Sequence, residues 1–172
     1  AAARTSVSID ALPTVQINGV VWSQAVAGNT VYAGGQFTAA RPAGAAPGQS
    51  QTGRNNLVAY DITTGVMTSF NGNLNSTVRT VAVAPNGTVY VGGHFTSAQG
   101  QSRTRIAAFT PGGALIGTFA PSVNGTVRAL VATDTAVYLG GDFTAVNGVA
   151  RSRLAAVSPT GALLGWAPSA DD

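Results

Sequence analysis

The chain has no cysteine, which excludes disulfides, thiol catalysis and cysteine-based metal sites. Lysine and glutamate are absent too: all nine bases are Arg and all six acids are Asp. Charged residues make up 9% of the 172 residues, against about 25% in an average globular domain. A surface this poor in charge has to be built from Ser, Thr, Asn, Gln, Gly and backbone. The net charge is only +3. The arginines form no run and no stacking aromatics cluster beside them, so nucleic acid is not an expected partner. With a single His, no carboxylate cluster and no EF-hand-like Asp spacing, neither a metal nor a cofactor is expected. No apolar run approaches the roughly 18 residues of a membrane span. Helical periodicity appears nowhere.

What is present is a repeat. "TVYAGGQFT" at 30–38 returns as "TVYVGGHFT" at 88–96 and "AVYLGGDFT" at 136–144. Around these lie three units: 21–77, 78–126 and 127–172. The first is lengthened by an insertion at 40–53, "ARPAGAAPGQSQTG", which reads as a flexible surface loop. Each unit carries four short strand signals separated by turns. In the second unit they are "VRTVAVA", "VYVGG", "RIAAF" and "ALIGTF" (114–119). The third unit's fourth signal is "ALLGW" at 162–166. Four short strands per repeat of this length predict an all-β fold of four-stranded antiparallel propeller blades. Blades pack face to face, so both faces of their central strands are buried and read as continuous small apolar runs. Gly-Gly inside such a strand permits close approach of a neighbour, and Phe37, Phe95 and Phe143 are the expected fillers of that space.

The pattern resembles the Kelch-like or delta-60 β-propeller repeats of secreted actinobacterial proteins. It does so through Tyr138-x-Gly140-Gly141-x-Phe143-Thr144, Asn147-Gly148, Arg151-x-x-Leu154-Ala155 and Trp166-Ala-Pro168, and in the second unit through Phe119-Ala-Pro121 and Asn124-Gly125-x-Val127. The composition, rich in Ala, Gly and Thr, is similar to that of such proteins. The small-residue start "AAARTS" reads as the kind left by signal-peptide removal, so a secreted, processed form is expected. The resemblance implies an extracellular protein and says little about activity, because a fold does not fix a function.

Three units are fewer than the roughly four to eight blades of closed propellers. Residues 1–20 form an N-terminal segment, of which 6–17 is expected to supply the outer strand of a neighbouring blade. An uncovered blade face forgoes stabilisation on the order of 10 kcal/mol. Further blades, from the rest of a longer protein or from copies of this chain, are therefore expected partners. The functional expectation is a non-enzymatic extracellular binding or scaffold module that contacts protein or polysaccharide through blade loops, with the 40–53 insertion as first contact. A lectin with one site per blade, and part of a hydrolase or lyase whose active site lies elsewhere, are the alternatives.

The candidate ligand-binding residues are few. Arg54, Arg103 and Arg151 share one position, three before the first apolar residue of the third strand. They either ring one end of the propeller to grip anions or cap loop carbonyls. Arg79 and Arg128 follow the first Val of the innermost strand and are placed to line a central channel. Trp166, with Trp22, Asn124 and Asn147, is a possible sugar platform, although Trp does not repeat in register. His94 shares its position with Gln36 and Asp142 and has no acid or nucleophile placed beside it, so no catalytic role is expected.

Overall fold

The computed structural model describes residues 14–168 and Ala170. Among these residues all regular structure is β, in antiparallel sheets. The first repeat forms a four-stranded meander of Val20–Ala27, Thr30–Gln36, Leu57–Asp61 and Met67–Asn71. The second pairs Val78–Val83, Val89–Gly93 and Ile106–Phe109; the third pairs Val127–Ala132, Val137–Gly141 and Leu154–Val157. The first strands of successive sheets lie against one another, so the blades fan outward from these inner strands. No helix among the described residues is long and apolar enough to cross a membrane.

Only the first blade has a complete outer strand. The strands expected at 114–119 and 162–166 shrink to single bridges, Phe109 with Leu115 and Val157 with Leu163. The physical reason lies two residues past each bridge. The first blade has Ser69 there, whereas the others have Gly117 and Gly165, and glycine inside a strand weakens pairing.

Each loop between second and third strands is itself a small hairpin: Ala39–Arg41 with Thr52–Gly53, Ser97–Ala98 with Gln101–Ser102, and Ala145–Val146 with Val149–Ala150. The 40–53 insertion falls in the turn of the first of these, so its ends are tied by strand pairing. Turns at Pro42–Ala45 and Ala46–Gln49 order part of its middle. The linker leading into each blade adds a third partner to the hairpin. Gln16–Ile17 pairs with Arg41 and Ala40, Leu74 bridges Ala98, and Val123 bridges Val146. Of the segment expected to serve a neighbouring blade, 6–13 lies outside the described residues.

The two glycines of the repeated motif have different tasks. A Cβ on Gly34 would sit 2.4 Å from Val78 Cγ1, and one on Gly92 would sit 2.5 Å from Val127 Cγ1. The first glycine thus receives the leading valine of the next blade's inner strand. The filler is this valine, and not the Phe two places on. The second glycine faces backbone: a Cβ on Gly35, Gly93 or Gly141 would lie 1.9, 2.2 or 2.0 Å from the carbonyl oxygen of Val20, Thr77 or Thr126. Around these locks the blades share apolar cores. Tyr32, Leu57 and Phe70 of the first blade meet Val78, Val91 and Phe109 of the second. Tyr90, Ile106 and Phe119 of the second meet Val127, Leu139 and Val157 of the third. Each fully buried side chain of this size stabilises by about 1.5–3 kcal/mol.

Candidate functional site

Every inner strand carries a bulge near its start. Its pairing with the second strand skips one residue: Trp22 in the first blade, Arg79 in the second, Arg128 in the third. A bulge adds a residue that the partner strand cannot match and re-aims its side chain. The second glycine of the motif lets the bulged backbone approach. Beside each bulge stands the residue after Gly-Gly: Gln36, His94 or Asp142. The expected channel-lining pair Arg79 and Arg128 is therefore brought together with a third member, Trp22. Aligning Val21-Trp22 with Val78-Arg79 and Val127-Arg128 is the sequence signal for it.

Trp22, Arg79 and His94 form a linked row, and Arg128 pairs with Asp142 beside it. The Arg79 guanidinium lies 4.6 Å from the centre of the Trp22 ring, within cation–π range. Its Nε–H donates to His94 Nε2 at 3.3 Å, so that nitrogen is the unprotonated one. Arg128 Nε donates to Asp142 Oδ1 at 2.7 Å. Burial pulls the His94 pKa below its ordinary value, and the guanidiniums of Arg79, Arg105 and Arg128 lower it further against the opposing Asp142. The hydrogen bond from Arg128 holds the Asp142 carboxyl below the usual range. Trp22 stays half exposed, so the row faces solvent.

Arg54, Arg103 and Arg151 repeat one geometry. Nη1 donates to the carbonyl just before each arginine, that of Gly53, Ser102 or Ala150. Nη2 reaches the outer segment at Thr68, at Ile116 and Gly117, or at Leu164. Each arginine braces its hairpin against the outer edge of the blade, and these donors hold backbone. A second brace repeats as faithfully. The carboxamide oxygens of Asn18, Asn75 and Asn124 accept two successive backbone N–H groups, those of Thr38 and Ala39, Thr96 and Ser97, and Thr144 and Ala145. Asn147 accepts from Ser122 N and donates to the Gly161 carbonyl. Trp166 lies edge-on to Tyr138 at 5.2 Å. The insertion and the turn at Thr64–Val66 enclose a mostly apolar hollow of about 400 Å3 beside Pro42 and Met67.

A polar hollow missed in the sequence opens between the first two blades, at the same end as the bulges. It measures about 380 Å3 and is lined by Gln36, Thr38, Asn56, Asn75, Ser76 and Thr77 among others.

A family model described as a domain of unknown function (DUF5122) beta-propeller matches residues 84–115. That stretch runs through the second, third and bridging outer segments of the middle blade. The repeat is of β-propeller type. No curated protein matches the chain.

Proposed function

We propose that the chain is a non-catalytic, extracellular binding module that contacts protein or polysaccharide at the blade end carrying the bulges and hairpins. One observation carries this reading. Residues with a structural task repeat from blade to blade, as the paired glycines, the arginine braces and the asparagine clamps do. The bulge-associated positions vary more: Trp22, Arg79 and Arg128 at the bulge, and Gln36, His94 and Asp142 beside it, where Arg alone recurs. Variation set in a constant frame marks the positions that meet a ligand. The scaffold part of the reading rests on the third blade, whose outward face around Tyr138, Gly140 and Trp166 is built to receive a further blade.

The experiment is co-sedimentation with insoluble polysaccharides (cellulose, chitin, cell-wall peptidoglycan) and capture of surface proteins, using wild type and the Trp22→Ala/Arg79→Ala double variant. Retention by wild type and its loss in the variant is the expected result. Release of soluble sugar from any of the polysaccharides would overturn the non-catalytic assignment, and equal retention of both proteins would remove the bulge row from the contact.

A further inference from the structure

The junction between the first and second blades departs from the repeat at two positions, and both departures line the same hollow. The first is the residue leading into the third strand. Asn56, Arg105 and Arg153 all hold left-handed backbone there, with φ of 64°, 70° and 66°. Arg105 sends its guanidinium to the His94 carbonyl. The same reach from position 56 would lead to Gln36, which lines the hollow. Asn56 is too short to make it. Its carboxamide turns inward, accepting from Phe37 N at 3.2 Å and donating to the Leu74 carbonyl at 2.8 Å, and the space beyond stays open.

The second departure is in the linker. Gly19 and Gly125 occupy one position, where a Cβ would meet the Gln36 carbonyl oxygen at 2.0 Å and Phe143 Cα at 2.7 Å. The second blade has Ser76 there. Ser76 adds a Cβ and a hydroxyl to the wall.

The resulting hollow of about 380 Å3 adjoins another of about 370 Å3, and the two share Thr38, Asn56 and Asn75. No ionisable side chain lines either one. Apart from Phe37, Leu74 and Gly100, the lining residues carry carboxamides or hydroxyls, which both donate and accept. Among the described residues the Gln36 carboxamide and the Ser76 and Thr77 hydroxyls have no hydrogen-bond partner and are open to a ligand. A charged guest would give up hydration without meeting a countercharge. A guest with many hydroxyls finds matching groups in a space within the range of small-ligand pockets.

From this convergence we infer that the first junction is a subsite for an uncharged polyhydroxylated ligand, a neutral sugar residue. Among the described residues it occurs at the first junction; at the next, Arg105 stands in place of Asn56 and reaches the His94 carbonyl. The inference rests on the binding-module reading above and names the ligand class for one part of that surface.

The test is a titration of the isotope-labelled chain by NMR with methyl β-glucoside, N-acetylglucosamine and galactose, and with glucuronate as the charged comparison. At least one neutral sugar is expected to move the side-chain amide signals of Gln36, Asn56 and Asn75, with weak, saturable affinity. Asn56→Arg, which installs the residue borne by the other two blades, is expected to weaken that response at least tenfold while leaving the remaining spectrum dispersed. Ser76→Gly, which restores the glycine of the other linkers, serves as the second variant and is expected to reduce the response severalfold. No response to any neutral sugar, a response to glucuronate alone, or an undiminished response in both variants overturns the inference. Shifts confined to the Trp22 indole or the 40–53 insertion would also overturn it, while leaving the binding-module reading intact.

Discussion

The second and third blades present the same outward face in two states. On the second blade, Tyr90 and Phe119 meet edge-on at 5.0 Å and are 1% and 0% exposed, with Val127 seated over Gly92. On the third, Tyr138 and Trp166 meet edge-on at 5.2 Å but are 36% and 43% exposed. Gly140 has only its own blade's Ala129 and Leu154 nearby, at 3.6 and 3.7 Å from where a Cβ would be. The local sequence and geometry are equivalent; the difference is whether a neighbouring blade is there. The motif therefore encodes a junction, and a junction is half of a contact. The third sheet's strands pair as the second's do without a neighbour, whereas its aromatic pair stays exposed.

The largest contrast is expected from removing the aromatic residue. Phe119→Ala leaves a cavity between blades and should cost about 3–5 kcal/mol in denaturant unfolding. Trp166→Ala, measured at high dilution, should stay within about 0.5 kcal/mol of wild type, as exposed positions do. Equal losses would mean the third face is covered. Next in size is a matched glycine pair. Gly92→Val forces a side chain into the space held by Val127 and should cost about 1–3 kcal/mol. Gly140→Val meets ordinary contacts and should be near neutral by the same measurement. Smaller again is Asn75→Ala, which removes the linker side chain that accepts from the Thr96 and Ser97 N–H groups and should lower stability by about 1 kcal/mol per lost bond.

The smallest effect is on pH dependence. The folded-state pKa of His94 lies below its unfolded value. The unfolded chain thus takes up the proton first, and stability present above the unfolded pKa is lost as pH falls toward the folded one. Thermal unfolding between pH 8 and 5 should show a decline that His94→Gln, the residue type found at position 36, removes. A decline unchanged in that variant would assign it to other groups.

Much of this was legible in the chain. The period, the inner and second strands and the packing role of Gly-Gly follow from residue pattern alone. The hairpin at Ala145–Ala150 was legible as well, since Asn147-Gly148 between apolar pairs is a two-residue turn signal, and both residues have positive φ, 51° and 77°. The outer strands were over-read because Leu115-Ile116 and Leu163-Leu164 look extended, while a single glycine after each ends the pairing. The bulges were not visible, because an unmatched residue shows only when two strands are laid in register. The polar hollow was hidden for a related reason. Asn56 and Ser76 are twenty residues apart along the chain and unremarkable singly; only the fold brings them to one wall.

The exposed aromatic pair of the third blade has the form of half a blade junction. Native mass in solution, by light scattering on a sizing column, tests this most directly. A discrete multiple of 17.1 kDa is expected for the isolated chain, reduced toward a single chain by Trp166→Arg. A folded species at 17.1 kDa, unchanged by that substitution, would contradict it.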